Sequence, residues 1–221
     1  MVEKTRMSQS REEILTRIRA ALSGNARTPA SPLPPTTRVA PRVAGNAEAE
    51  IDLLLAEIGK LGGRAQRIVG REELRLCLSN LVRDENVKKV TLWQTRELKE
   101  FDLEGEFASL GVEIVPPDAD KRVLAGCDLG VTDADAALPE TGTLVLRASG
   151  EHLQMVSLLP RIHLAIVRPT ALRADLHQVL EEVKGDKHVH FISGPSRTAD
   201  IEKTLAIGVH GPKALYVWVY V

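Results

Sequence analysis

From residue 46 onward, the hydrophobic and polar positions of the chain switch repeatedly between two textures. An amphipathic helical spacing over 47–61 ends at Gly62-Gly63, glycines being the usual stop for a helix. A strand pattern follows at 65–69, a helix at 71–83, a strand at 88–93 and a helix with breaks at 97–110. A short strand at 112–115 is closed by Pro116-Pro117, and 121–125 reads as a helical turn. Strands at 128–138 and 143–148 flank a tight turn. A helix at 151–159 ends at Pro160, before a strand at 162–167. The last quarter reads as a helix at 171–184 ended by Gly185, a strand at 188–193, a short helix at 199–207 and a final strand at 215–221. Strands alternating with helices predict an α/β fold with a mainly parallel sheet covered on both faces. The pair around 139–142 adds an antiparallel hairpin.

The first 45 residues differ. Over 8–22, Ile14, Ile18 and Leu22 share one helical stripe, Ser10 is placed to cap it, and Glu12 and Glu13 occupy its first turn. Residues 23–44 carry Pro29, Pro32, Pro34, Pro35 and Pro41, which neither a helix nor an interior strand sustains. The expected organisation is a helix and proline-rich arm at 1–45 and an α/β domain at 46–221. Whether the helix docks a partner or its own domain is left open by the pattern.

Charge narrows the partners. With 29 basic and 30 acidic residues, the net charge of −1 argues against a broad polyanion-binding face. Aromatics at 3% are too few for base-stacking platforms, so no nucleic-acid partner is expected. No apolar run is long enough for a membrane span. The charged stretch 1–10 lacks the apolar region of a secretory signal, and Cys77 and Cys127 form no cluster spacing. A reducing cytoplasm is the expected setting. Two cysteines cannot hold an iron–sulfur cluster by four thiolates.

Candidate chemistry concentrates near the C-terminus. The loop Ser193-Gly194-Pro195-Ser196-Arg197-Thr198-Ala199-Asp200 lies between the strand at 188–193 and the helix expected at 199–207. A helix N-terminus there would offer backbone N–H groups to an anion, and Arg197 a planar fork for a carboxylate or phosphate. A second loop, Gly208-Val209-His210-Gly211-Pro212-Lys213, adds a histidine flanked by glycines that let a ligand approach the backbone. In Pro139-Glu140-Thr141-Gly142, the proline and glycine suit a turn. Glu140 is then either a solvated turn residue or a displayed base or nucleophile.

Other residues admit plainer readings. Asp133 and Asp135 share a strand face, as do His188 and His190, without a third ligand at metal spacing; no metal is expected. His163 reads as a hydrogen-bonded structural residue, and His152 and His177 as surface residues. Cys127 reads as buried and inert. Arg147 and Arg161 reach a pocket or remain surface charges. No GxGxxG follows the first strand, and no Walker A, GxSxG or HExxH motif occurs.

Four segments in order resemble the lactate-utilisation protein C family, LutC/YkgG, which carries the LUD domain. They are Asp133 to Leu146 with Glu-Thr-Gly, Ser157-Leu-Leu-Pro-Arg-Ile-His163, Ser193-Gly-Pro-Ser-Arg-Thr-Ala-Asp-Ile-Glu202, and Gly208-Val-His-Gly-Pro212. The resemblance covers about residues 47–221. It implies a Rossmann-like domain with an added antiparallel segment, similar to the sugar-phosphate isomerase and CoA-transferase superfamily. It also implies work in bacterial oxidation of L-lactate to pyruvate beside iron–sulfur partner proteins that carry the redox centres. Carried over by position, the site residues are Glu140 and His210 for proton handling. The ligand-binding residues are Thr141, Gly142, Ser193, Gly194, Ser196, Arg197, Thr198, Asp200 and Gly211. The ligand is a small carboxylate, another anion or an organic cofactor, and its identity is open. A free-standing acyl-transfer or phosphosugar-type enzyme using Glu140, and a structural adaptor, are the alternatives.

Overall fold

Asn46 opens the α/β part of the chain by accepting the backbone N–H of Ala49 on its side-chain oxygen at 2.8 Å, the bond that satisfies an otherwise orphaned first-turn donor. The computed structural model describes residues 2–24, 40–148, 153–199, 205–207 and 211–221. It divides the chain into two units, Met1–Ala40 and Pro41–Val221. The first holds helix α1 (Val2–Gly24).

The second unit begins α2 (Ala47–Lys60), β1 (Arg64–Ile68), α3 (Gly70–Asp84), β2 (Lys89–Leu92), α4 (Arg96–Lys99) and α5 (Leu103–Ser109). It continues β3 (Glu113–Val115), α6 (Lys121–Ala125), β4 (Leu129–Asp133), β5 (Ala136–Leu138), the tight turn Pro139–Thr141 and β6 (Thr143–Arg147). Then come α7 (Met155–Leu158), β7 (Ile162–Val167), α8 (Leu176–Glu182), β8 (Val189–Ile192), β9 (Arg197–Ala199), β10 (Leu205–Ile207) and β11 (Ala214–Tyr220).

Six strands pair in the order β1-β11-β7-β4-β2-β3, every neighbouring pair parallel. Alternate residues of the central strands feed two cores, as the two-residue period of a strand requires. Ile162, Leu164, Ile166, Tyr216 and Trp218 meet Leu74 and Leu78 of α3 and Phe107 of α5. Ala165, Val167, Leu215, Val217 and Val219 meet Ile51, Leu54 and Ile58 of α2. Each such fully buried aliphatic side chain contributes about 1.5–3 kcal/mol relative to exposure. The expected Rossmann-like α/β fold is therefore present.

The antiparallel segment is present too. β5, β6 and β8 form a three-stranded sheet, packed where the Pro139–Thr141 turn meets α2. The strand expected over 128–138 is two strands in different sheets. The Ala134 N–H still donates to Ile166 of β7, while that of Asp135 donates to Val145 of β6. The chain changes sheets between these residues.

The helix expected over 199–207 is corrected by the structure. Arg197–Ala199 and Leu205–Ile207 pair as an antiparallel ladder, with Thr198 opposite Ala206. A nine-residue helix bears the full cost of nucleation for few hydrogen bonds, and a strand ladder prevails. Among the described residues, the loop from Ser193 thus leads into β9 at Arg197, with no helix N-terminus to offer an anion. The helix expected over 97–110 breaks at Asp102, which adopts a positive φ of 53°. The helix expected over 171–184 is shorter, because Asp175 caps α8 through the backbone N–H of Gln178 at 3.1 Å.

Candidate functional site

Two glycines fix the site by resting on the C-terminal end of α2. Gly142 has φ 60°, and a side chain there would meet Ile58 N at 2.9 Å and Glu57 C at 3.0 Å. Gly194 has φ 91°, and its added Cβ would lie 3.0 Å from Leu61 Cβ. Both positions need the left-handed backbone and the bare approach that glycine alone supplies. Gly142 places Thr143 at the start of β6, and Gly194 follows Ser193 at the end of β8. The result is a chain of hydroxyls. Thr141 Oγ1 lies 2.8 Å from Thr143 Oγ1, which lies 2.7 Å from Ser193 Oγ.

Ser193 and Phe191 form a wall shared by two cavities. The larger, of about 490 Å³, is lined by Leu138, Leu176, Leu180 and Phe191, with Glu140 and Asp175 as its carboxylates. Asp175 is committed: it accepts the backbone N–H of Arg42 at 2.9 Å as well as that of Gln178. The Gln178 hydrogen bond is the main cause holding its carboxyl below the usual range. Arg42 donates from both terminal nitrogens to Glu50, at 2.8 and 2.7 Å. That bond chiefly raises the Arg42 pKa, and Glu140 contributes by charge.

The smaller cavity, of about 220 Å³, brings three sequence motifs together: Ser157 and His163, Ser193-Gly194-Pro195-Ser196, and Gly211-Pro212. The Ser196 N–H donates to the Pro212 carbonyl at 2.9 Å and locks the two loops to each other. Gly211, at φ 88°, lies under Ser196, whose Cβ would be 3.3 Å from a Cβ at the glycine. The described lining of this cavity combines the apolar Leu158, Phe191, Ile192 and Leu215 with hydroxyls, one imidazole and backbone, and carries no carboxylate, lysine or arginine. His163 is 1% exposed. Its Nε2 lies 2.8 Å from Thr132 Oγ1, while Nδ1 is buried with no hydrogen-bond partner. Burial alone pushes its pKa down to about 3, so the ring is neutral at physiological pH.

Of the residues expected at a site, Glu140, Thr141 and Ser193 line the larger cavity, and Ser193, Gly194, Ser196 and Gly211 the smaller. Gly142 supports the first group from below. Arg197 lines neither cavity, and a methyl built on Gly62 would be 2.5 Å from its Nη2. His210 and Asp200 fall outside the described residues, as does the side chain of Thr198. Arg147 pairs with Asp186 at 2.6 Å, and Arg161 with Asp128 at 3.0 Å, and neither lines the two cavities. Cys127 is buried, and burial chiefly raises its thiol pKa. His190 Nε2 meets Gln154 Oε1 at 2.9 Å.

Sequence reasoning passed over Thr143, Phe191, Asp175 and the cavity role of His163. For Thr143 and His163 the signal was available: both lie within the four resembling segments. Asp175 is signalled by Asp-x-x-Gln, a helix-capping spacing. Among the described residues, no group of three His, Cys, Asp or Glu is placed to hold a metal. No helix among them is long and apolar enough to cross a membrane.

The fold is similar to that of a solved DUF162 family protein from Deinococcus radiodurans, with a TM-score of 0.62 and 20% identity, covering 80% of this chain and 100% of that one. In sequence, the chain is 34% identical to lactate utilization protein C of Shouchella clausii, over 66% of this chain and 68% of the relative. It is 29% identical to lactate utilization protein C of Halalkalibacterium halodurans, over 96% of this chain and 98% of the relative. The LUD domain family model matches residues 51–220. With that match running from α2 to the last strand, through every residue of the two cavities, the chain belongs to the LUD domain family.

Proposed function

We propose that this protein is the non-redox component of a bacterial system that oxidises L-lactate to pyruvate, working with iron–sulfur partner proteins. We assign its ligand site to the two cavities that share Ser193. The observation that carries this reading is the convergence of four separated segments on one point. Thr143 of the Glu-Thr-Gly-Thr turn bonds Ser193, and Ser157, His163, Ser196 and Gly211 surround the cavity beyond it. Relatives named lactate utilization protein C support the pathway. The two cysteines of the chain fall short of a four-thiolate cluster, which supports placing the redox centres on partners.

The two cavities divide the chemistry. In the larger, Glu140 and Asp175 repel an anion, while Leu138, Leu176, Leu180 and Phe191 suit the apolar part of an organic ligand. In the smaller, the hydroxyls of Ser193 and Ser196 suit the oxygens of a small hydroxy or oxo acid. Glu140, at the rim, is placed to exchange a proton with solvent.

The test is genetic. Deletion of the gene from a bacterium that carries it should abolish growth on L-lactate and leave growth on pyruvate intact. The wild-type gene should restore growth, and a Thr143→Val/Ser193→Ala gene should not. Affinity-tagged protein should recover cluster-bearing partners from lactate-grown cells. Undiminished growth of the deletion strain on L-lactate refutes the reading.

A further inference from the structure

A third cavity, of about 460 Å³, shares no lining residue with the two above. Its place follows from the order of the strands. From β2 the chain moves outward to β3 at the sheet edge, crosses back to β4 on the other side of β2, and continues to β7 and β11. β2 and β4 are therefore adjacent strands whose onward connections leave in opposite directions. In open parallel α/β sheets, ligands bind in the crevice beyond the carboxyl ends of such strands. The third cavity occupies that end of the sheet. Asp133 is the last residue of β4, Arg168 follows the last residue of β7, and Glu97 belongs to α4, the helix into which β2 leads. The smaller cavity touches β7 and β11 at His163 and Leu215, near their opposite ends.

In the described lining of the crevice, Glu97, Asp133 and Asp135 supply carboxylates and Arg168 the basic group. Arg168 is committed: it donates to Glu100 Oε2 at 2.7 Å, and its Cζ lies 5.2 Å from the centre of the Phe101 ring. Asp135 Oδ2 accepts the backbone N–H of Arg147 at 2.8 Å, which holds that carboxyl group in place. Glu97 is exposed and Asp135 half-buried, so both are open to solvent. Among the described residues, no three His, Cys, Asp or Glu groups converge to hold a metal ion.

We propose that this crevice is a second binding site, and that its ligand is a small organic cation carrying primary ammonium groups on an alkyl chain. The ammonium groups donate to Asp135 and Glu97, and the methylenes lie along Phe101, Ile166 and Ala171. Three observations select this chemistry. Carboxylates only accept hydrogen bonds, so the ligand must donate. An anion would meet carboxylates on every side and a guanidinium already paired with Glu100. Carboxylates spread over the lining suit a chain with separated charges better than a single ion. The inference goes beyond the lactate reading and does not depend on it.

The experiment is isothermal titration calorimetry of the full-length protein with 1,4-diaminobutane. 1,4-Butanediol and succinate are the controls, because they keep the chain and carry hydroxyls or carboxylates in place of ammonium groups. The diamine should bind saturably, the diol roughly tenfold more weakly, and succinate not at all. Asp135→Asn retains an oxygen for the Arg147 N–H and should weaken the diamine about tenfold, the loss of a hydrogen bond between charged groups. Glu97→Gln, at an exposed position, should weaken it about threefold. Glu181→Gln removes the same charge from an exposed site on α8, outside the cavity, and should leave the affinity unchanged.

The absence of saturable diamine binding overturns the proposal, and so does equal binding of the diol or succinate. A loss with Glu181→Gln as large as that with Glu97→Gln also overturns it, because it would mark diffuse attraction to an acidic surface. If Asp135→Asn fails to fold, Glu97→Gln and the ligand series decide. Each of these failures leaves the pathway reading standing, since that is judged by growth on L-lactate.

Discussion

Thr143 Oγ1 and Ser193 Oγ lie 2.7 Å apart across the antiparallel pair β6 and β8. They join two segments fifty residues apart in sequence, at the wall between the two cavities. Thr143 is 6% exposed, so its hydroxyl has little recourse to water. Thr143→Val keeps the shape and removes the bond, and it should lower stability by about 1–2 kcal/mol. Ser193→Ala should cost less, because Ser193 is exposed. The double variant in chemical denaturation should show a coupling of about 1 kcal/mol. Additive single effects would mean that the hydroxyl pair is not held in solution.

The Arg42–Glu50 pair governs part of the acid response. Glu50 is 5% exposed. Arg42 is the main cause lowering its pKa; burial opposes this, and the Gly45 N–H, which donates at 2.6 Å, assists. A carboxyl held low in the fold and ordinary in the unfolded chain stabilises fully above the ordinary range, about pH 4.3 for glutamate. That contribution is lost as pH falls from there through the folded value. Glu85 and Asp128 are shifted in the same direction. Glu50→Gln should cost about 3 kcal/mol at neutral pH by stranding a half-buried guanidinium. It should also flatten, without abolishing, the loss of stability below about pH 4.3. Urea midpoints measured across pH check both. A parallel downward displacement at every pH would show that Glu50 is not the titrating group.

The parallel sheet and its helices were legible in the sequence, since apolar periodicity and glycine or proline stops are local signals. The turn at Pro139–Thr141 was legible for the same reason. The strands β9 and β10 were not. The stretch from Ala199 to Ile207 has helix-forming composition, and the strand state of Arg197–Ala199 and Leu205–Ile207 depends on pairing Arg197 with Ile207, which no local window contains. Site membership divided likewise. Glu140, Thr141, Ser193 and Ser196 stand in loops whose glycines advertise them. His163 stands in an apolar strand, where a histidine reads as core. Only the third dimension shows that it lines a cavity together with the loop at Ser196. Arg197 looked like an anion fork by residue type, yet the strand it begins carries it over Gly62.

Cysteine reactivity should be low. Cys127 is 3% exposed, and burial is the first cause raising its thiol pKa, with Asp128 and Glu113 adding to it against Lys89. Cys77 is also raised, chiefly by burial. Little thiolate is present at neutral pH. Iodoacetamide should therefore modify both residues far more slowly in the native protein than in denaturant, with Cys127 the slower of the two. Peptide mass spectrometry over a time course reads this directly. Rapid native alkylation of Cys127 would show that the α6–β4 connection opens.

Gly130 provides the sharpest test of how the smaller cavity is built. It lies in β4 opposite His163 of β7, and a methyl group there would overlap the Val156 carbonyl of α7, with Pro160 Cγ at 3.0 Å. The obstacle is backbone, so a rotamer change cannot relieve it. α7 must move off the strand, and it carries Ser157, a wall of the cavity. Gly130→Ala should therefore destabilise the fold by about 3 kcal/mol, in the upper range of overpacking. It should also weaken ligand binding in whatever fraction remains folded. Gly59→Ala is the control: it adds the same methyl within α2 where nothing lies within 4 Å, and it should stabilise by a few tenths to about 1 kcal/mol through helix propensity. Thermal melts of the two variants separate the claims. Equal melting temperatures would mean that α7 does not seat against Gly130, and that the cavity wall at Ser157 is formed some other way.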